Sequence, residues 1–150
     1  MRTKVLLSII AVPALLIGCV TLQNQTVSAD KYRELVSQTC LSIPESQMTP
    51  EQLSMKIKVL DYVYAHTTIK DNKQHLSATR RQLKKAGIPA VYYDILQFQY
   101  NETNSFVERE IKNGTLPAEV LDMEKMYAEA KAKYFEAERP ELLSRFERLK

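Results

Sequence analysis

The spacing of apolar residues in the last third of the chain constrains its fold most strongly. Apolar positions recur alternately three and four residues apart, at Val120, Met123, Tyr127, Ala130, Tyr134 and Ala137. This spacing places the side chains on one side of an α-helix, and a helix with such a seam packs nearly antiparallel against a neighbour. We therefore predict a long C-terminal helix. Because proline disturbs a helix interior, we expect Pro140 to kink or restart it.

A helix start is identifiable upstream. Residues 49–52 read Thr-Pro-Glu-Gln, which combines an N-cap threonine, a proline at the first helical position and a glutamine at the capping-box spacing. Apolar side chains follow at helical spacing, at Leu53, Ile57, Leu60 and Tyr64. An earlier helix is predicted from Asp30 to about Cys40. The sequence therefore predicts two helices in the first half of the chain.

Glycine and proline mark two further helix ends. A third helix, capped by Asp71, is expected to end at Gly87-Ile88-Pro89, because glycine adopts the left-handed conformation easily and proline prevents continuation. A fourth is expected from about Ala90 to Asn113, with Gly114 as its stop. No stretch of useful length alternates as a strand does. The predicted fold class is all-α, a helical bundle of five or six helices with a long C-terminal helical hairpin.

The N-terminal segment has the pattern of a secretory signal. Arg2 and Lys4 precede a nearly continuous apolar run from Val5 to Ile17. The run is too short to span a bilayer, which requires about 20 apolar residues. It closes with Leu16-Ile17-Gly18-Cys19, which resembles the lipobox of bacterial lipoproteins. The resemblance implies cleavage before Cys19 and lipid attachment to that residue.

The lipobox also sets the expected domain organisation and location. It implies a signal peptide at residues 1–18, a lipid-anchored tether at 19–29 and a single helical domain at 30–150. Val20 follows the cysteine, where an aspartate would resemble the inner-membrane retention signal of enteric bacteria. We therefore expect an outer membrane lipoprotein in the bacterial cell envelope, facing the periplasm. Its first partner would be membrane lipid, through acylation of Cys19.

Composition excludes several classes of function. Loss of Arg2 and Lys4 with the signal lowers the 21 basic side chains to 19 against 18 acidic ones, a formal net charge of +1, so a nucleic-acid binder is not indicated. The glycines left in the mature chain, Gly87 and Gly114, both serve as helix stops. No glycine-rich phosphate loop or nucleophile elbow is available. We expect no cofactor and no enzymatic activity.

The histidines and the second cysteine are the candidate reactive groups of the mature chain. His66 and His75 lack the four-residue spacing of a zincin helix, so we expect two partly exposed polar residues, with a weak metal or pH-sensing site as the alternative. Cys40 has no partner within the chain if Cys19 is lipidated. It is interpreted as a small buried hydrophobic residue, with an intermolecular disulfide as the alternative.

One stretch of the chain is strongly basic. Its cations are Lys70, Lys73, Arg80, Arg81, Lys84 and Lys85. They form either a solvated helix face or a contact surface for anionic lipid head groups or an acidic partner. The adjacent pair Tyr92 and Tyr93 cannot share one helix face, so one of the two is expected at a rim or contact surface.

These features together predict a non-enzymatic, membrane-tethered helical adaptor or accessory subunit for an envelope protein partner. Small all-α lipoproteins of this kind loosely resemble the pilotins of type II secretion. The alternative is a structural envelope lipoprotein that contacts peptidoglycan, because a helical lipoprotein ending in lysine, here Lys150, resembles the major murein lipoprotein. An enzyme acting through Glu or Tyr residues is the third hypothesis. An apolar groove deeper than packing requires would favour the adaptor.

Overall fold

Helices dominate the structure, a computed structural model that describes residues 26–118 and 121–150, with side chains from Asp30 onward. The signal segment, Cys19 and most of the expected tether lie outside the described residues, as does Val120. The elements in chain order are α1 (Thr26–Ser37), two 3₁₀ turns (Cys40–Ser42 and Glu45–Gln47), α2 (Pro50–His66), β1 (Thr67–Lys70), β2 (Lys73–Leu76), α3 (Arg80–Lys85), α4 (Ala90–Lys112), α5 (Met123–Lys133), a π-helical turn (Tyr134–Glu138) and α6 (Arg139–Leu149). The predicted mostly helical class is confirmed.

Helix α2 begins and packs as its sequence predicts. The Thr49 hydroxyl accepts a hydrogen bond from the Gln52 N–H, and the Gln52 side chain accepts one from the Thr49 N–H, which completes the capping box. The predicted apolar face is buried along its whole length, at Leu53, Ile57, Leu60 and Tyr64. This face belongs to the main hydrophobic core, which also takes side chains from α1, α3, α4 and α6.

The third helix is predicted incorrectly over its first half. Strands β1 and β2 form an antiparallel hairpin in which Thr67 faces Leu76 and Lys70 faces Lys73. Asp71, expected to cap a helix, instead forms the turn with Asn72, at positive φ values of 53° and 58°. Two successive residues at positive φ make the tight turn that matches the twist of a hairpin, and Asp and Asn tolerate this conformation. The helix itself is confined to α3.

Helix α4 runs unbroken through residues 101–104, which favour a helix poorly. Asn104 has a tertiary role in this stretch, because its Oδ1 accepts from the Gln74 N–H at 2.8 Å and its Nδ2 donates to the Gln74 carbonyl at 2.9 Å. Asn104 thus satisfies the outer edge of β2. Gly114, at a φ of +75°, follows the end of α4 as predicted.

The C-terminal helical region is continuous from Met123 to Leu149, with a change of geometry before Pro140. The Arg139 N–H donates to the carbonyl of Tyr134, the longer hydrogen bond of a π-helical turn. The disturbance expected at Pro140 is therefore a π-turn that precedes it. The turn directs Tyr134 fully into the core and leaves the adjacent Phe135 41% exposed. Helix α6 then packs against α2.

Among the described parts of the chain, no helix combines the length and the apolar character that crossing a membrane requires.

Candidate functional site: an open groove at Cys40 and Tyr92

An open groove of about 440 Å³ lies where the end of α1, the first 3₁₀ turn, the first half of α2 and the start of α4 meet. Its lining is mixed. Ile43, Met55, Pro89 and Val91 are apolar, Cys40 and Tyr92 are buried, and the others are polar, Ser37, Gln38, Thr39, Ser42, Glu51 and Gln52. The volume lies within the range of roughly 300–1,000 Å³ that is typical of ligand sites. Several chain segments that are distant in sequence therefore combine into one concave surface.

Local hydrogen bonds fix the loop that forms one wall of the groove. The Thr39 hydroxyl donates to the Val36 carbonyl at 2.8 Å and accepts from the Leu41 N–H at 3.1 Å. The Ser42 hydroxyl donates to the Thr39 carbonyl at 3.0 Å. These bonds end α1 and turn the chain at once into the first 3₁₀ turn, which places Cys40 inward. The predicted end of the first helix near Cys40 is thus a tightly bonded turn.

Cys40 and Tyr92 form the floor of the groove. The Cys40 sulfur lies 3.1 Å from the Tyr92 hydroxyl oxygen and 3.7 Å from the Gln52 carbonyl oxygen. The prediction of a buried thiol is confirmed, and Cys40 is free within the described chain. Burial, with the Cys40 thiol as the next cause, raises the pKa of Tyr92 above its ordinary value. The floor therefore consists of two buried polar groups that contact each other.

The structure separates the predicted basic residues into two groups. Lys70 and Lys73 lie at the hairpin turn, and Lys73 is 3.6 Å from a carboxylate oxygen of Glu108. The remaining four lie on α3, where Arg80 forms an ion pair with Asp94 at 2.8 Å. The 14 positions between Asp94 and Glu108 correspond to about 21 Å along α4. Only the α3 group lies close to the groove in sequence and space.

The two histidines do not line the groove. The His66 ring stacks on Tyr62 with centroids 3.9 Å apart, and its Nδ1 lies 2.9 Å from the Tyr62 carbonyl oxygen. His75 is exposed on β2, opposite Thr68. Over residues 26–118 and 121–150, no group of three or more His, Cys, Asp or Glu side chains is arranged to hold a metal ion.

Sequence reasoning missed a buried charge network behind the groove. Lys56 is only 6% exposed although it lies on the core side of α2. Its Nζ is 2.7 Å from one carboxylate oxygen of Glu45, and the other oxygen is 2.9 Å from Arg145 on α6. Burying an unpaired lysine would cost several kcal/mol. Glu45 therefore ties the second 3₁₀ turn to α2 and α6.

A second polar cluster lies at the opposite end of α2 and is closed. The Asp61 carboxylate accepts from the Tyr134 hydroxyl at 2.8 Å and from two nitrogens of Arg139 at 2.9 and 3.0 Å. The Tyr134 ring stacks on Tyr64 with centroids 4.8 Å apart. The Tyr127 hydroxyl is 3.2 Å from the Tyr64 carbonyl oxygen. Burial raises the pKa of Tyr127 to about 12, and it is also the main cause that raises the pKa of Tyr64 and Tyr134.

The adjacent tyrosines divide between groove and core. Tyr92 lines the groove floor, and Tyr93 is half-buried against the main core. Tyr92 is only 3% exposed, and its hydroxyl contacts the Cys40 sulfur. Its role depends on Cys40, which lies 52 positions away, so no local sequence pattern identifies the pair.

Comparison of the chain with protein-family models, with curated proteins and with solved structures finds no match.

Proposed function

We propose that the protein is a membrane-anchored periplasmic lipoprotein of the outer membrane that acts as a non-enzymatic helical adaptor. The groove at Cys40 and Tyr92 would receive a segment of an envelope protein partner. The observation that carries the proposal is the groove itself, a concavity of about 440 Å³ on a small helical domain. We regard the helices as one bundle that serves as the rigid frame of this groove.

The chemistry of the groove favours binding of a protein segment. Its walls offer apolar side chains, Ile43, Met55 and Val91, each of which is half-buried. Its polar lining includes Ser42, Glu51 and Gln52, while the buried Cys40 and Tyr92 are bonded to each other. Apolar walls with a few polar groups are the usual composition of a recognition site, because the apolar area gives affinity and the polar groups fix orientation.

The position of the groove along the chain also suits an adaptor. If Cys19 carries two or more acyl chains, attachment to the membrane is stable. Helix α1 begins at Thr26 and its 12 residues span about 18 Å. The groove lies at the C-terminal end of α1, and the proposed anchor lies upstream of its N-terminal end. Helix α1 would therefore hold the groove away from the point of attachment.

The test is purification of the intact lipoprotein from its native membrane after mild crosslinking. Val91→Asp places a charge in the groove wall, and Phe135→Asp places the same charge on an exposed aromatic residue of the π-turn. We expect a stoichiometric envelope protein with the wild type and with Phe135→Asp, and its loss with Val91→Asp. Equal recovery with both variants would contradict the assignment of the groove.

The structural alternative has a different signature. Lys150 is exposed, with its Nζ 3.1 Å from Glu147 and 4.5 Å from the centroid of the Phe146 ring. Recovery of muropeptides in place of a protein, unaffected by Val91→Asp and lost on removal of Lys150, would support a peptidoglycan-contacting lipoprotein and overturn the adaptor.

A further inference from the structure

We propose that the groove binds an apolar peptide segment with acidic residues at one end, and that Lys58, Lys84 and Lys85 hold the acidic end. These three lysines are called the basic rim below. The inference rests on the proposed function and adds the chemistry of the partner. It is carried by the side-chain placement along α2 and by the approach of the Lys58 ammonium group to Gly87, just after α3.

One face of α2 leads from the groove to the basic rim. Glu51, Met55 and Lys58 are separated by four and three residues, so they lie along the same side of the helix. Glu51 and Met55 line the groove, and Lys58 is one turn further on. The groove therefore has an acidic side chain towards the start of α2 and a basic one beyond Met55.

Lys58 also reaches the end of α3. Its Nζ lies 3.1 Å from the position that a Cβ on Gly87 would occupy, and Gly87 has a φ of +82°. Glycine is suited to this position on both grounds, because it tolerates the left-handed backbone and leaves room for the ammonium group. Gly87 follows Lys84 and Lys85 closely and precedes Pro89, which lines the groove. The Lys58 ammonium group therefore lies beside the chain segment that joins Lys84 and Lys85 to Pro89 in the groove lining.

The charge of the basic rim is not compensated within the described chain. Lys58, Lys84 and Lys85 are exposed, and none of them forms an ion pair with a carboxylate among residues 30–118 and 121–150. Arg80, on the same short helix, is neutralised by Asp94. The carbonyls at the C-terminus of α3 stabilise cations there. A row of cations beside an apolar groove is complementary to a segment that is both apolar and acidic.

A peptide suits these features better than a lipid surface. A bilayer presents a broad charged plane and would contact the lysines without filling the groove. An apolar peptide can occupy the groove between Met55 and Val91 and place carboxylates at the rim. Glu51 at the other end repels an acidic residue there, so the charge pattern also fixes the direction of the bound segment.

The probe is a labelled synthetic peptide with leucines at helical spacing and three glutamates at one end, compared with the same peptide carrying three lysines. Fluorescence anisotropy with the intact acylated lipoprotein in detergent micelles measures both affinities. We expect the acidic peptide to bind more tightly, and the triple variant Lys58→Glu, Lys84→Glu, Lys85→Glu to weaken it by about tenfold, since each exposed pair contributes a few-fold. The matched control, Lys112→Glu, Lys125→Glu, Lys131→Glu, reverses three exposed lysines elsewhere and should leave the affinity unchanged.

Failure of this inference is distinguishable from failure of the adaptor. Equal binding of both peptides, with loss of both in Val91→Asp, would overturn the basic rim and leave the groove as a binding site. No binding of the acidic peptide would overturn the inference, and the envelope crosslinking experiment would judge the adaptor separately. Binding of the protein to phosphatidylglycerol vesicles that the triple variant abolishes, without peptide binding, would assign the rim to the membrane surface instead.

Discussion

Polar groups on the groove face of α2 and at its C-terminal end differ in how completely they are bonded. At the C-terminal end, Asp61 is bonded to both Tyr134 and Arg139, and the Tyr134 ring stacks on the Tyr64 ring. On the groove face of the N-terminal half, the groove is open, its apolar side chains are partly exposed, and Lys58 forms no ion pair within the described part of the chain. Lys56, on the core side of the same half, is paired with Glu45. A closed, fully bonded cluster stabilises a fold. An open one, on the same rigid helix, leaves its interactions available to another molecule.

The comparison predicts that the two ends respond differently to substitution. Changes in the closed cluster should lower the free energy of unfolding, because they orphan buried polar groups or leave cavities. Changes in the groove should lower binding and leave stability nearly intact, because the affected side chains are already half in solvent. The predictions below test this division, beginning with the largest expected effect.

Alkaline pH should unfold the protein through its buried tyrosines, both those of the closed cluster and Tyr92 at the groove. The pKa of Tyr127 is raised to about 12, and burial raises those of Tyr64, Tyr100 and Tyr134 as well. Because the folded pKa values lie above the ordinary value near 10, this stabilisation is fully present below about pH 10 and is lost as pH rises through about 12. Far-UV circular dichroism and tyrosinate absorbance should change together in this range. Ionisation of all tyrosines near pH 10 with the helical signal intact would contradict the burial.

Tyr134→Ala should be the most destabilising single substitution in the cluster. The side chain is fully buried, so its loss leaves a cavity and removes a hydrogen bond to Asp61. We expect a decrease of about 3–5 kcal/mol in the free energy of unfolding, measured by urea denaturation. The control is Phe135→Ala, at the next position but 41% exposed, which should cost much less. Equal costs would mean that the π-turn does not direct the two rings as described.

Asp61→Asn should have an intermediate effect. It removes the charge that accepts hydrogen bonds from Arg139 and Tyr134 at a site where the ion pair is about one-third exposed. Hydrogen bonds to charged groups contribute about 1.5–3 kcal/mol, and partial exposure places the expected loss near the lower end. The matched change Asp30→Asn breaks the exposed pair with Arg33 and should stay within about 0.5 kcal/mol. Equal losses in urea denaturation would show that the Asp61 pair contributes no more to stability than the exposed Asp30 pair.

Of the four predictions, Met55→Ala is the one with the smallest expected effect on stability. Met55 is half-buried in the groove wall, so we expect a loss of less than about 1 kcal/mol in urea denaturation, together with weaker binding of the acidic peptide. Leu53→Ala, two positions earlier on the same helix, removes a fully buried side chain and should cost about 2–5 kcal/mol. A large stability loss in Met55→Ala would make the groove wall part of the core.

The features that the sequence predicts well are those that local chemistry decides. The Thr49 capping box and the buried face of α2 depend on residues a few positions apart. Gly87 and Gly114 both end helices at positive φ, as a glycine at such a position does. In each case the interacting groups are neighbours in the chain, so the pattern is visible without the fold.

The features that the sequence does not predict depend on residues that are far apart along the chain. The Asp71–Asn72 turn lacks the glycine that most strongly marks a two-residue hairpin, and β2 is held at its outer edge by Asn104, 30 positions from Gln74. The groove requires Cys40 to meet Tyr92. Lys58 likewise comes beside Gly87 only through the fold, 29 positions away along the chain.

Site-specific photocrosslinking in the native membrane tests the central claim most directly. A photoreactive residue would replace Met55 in the groove wall and, in a separate variant, Phe135 on the closed side. The adaptor account predicts one defined protein adduct from position 55, absent from position 135 and reduced when Val91→Asp is added. No adduct from position 55, or the same adduct from both positions, would contradict the claim that the groove is the binding surface.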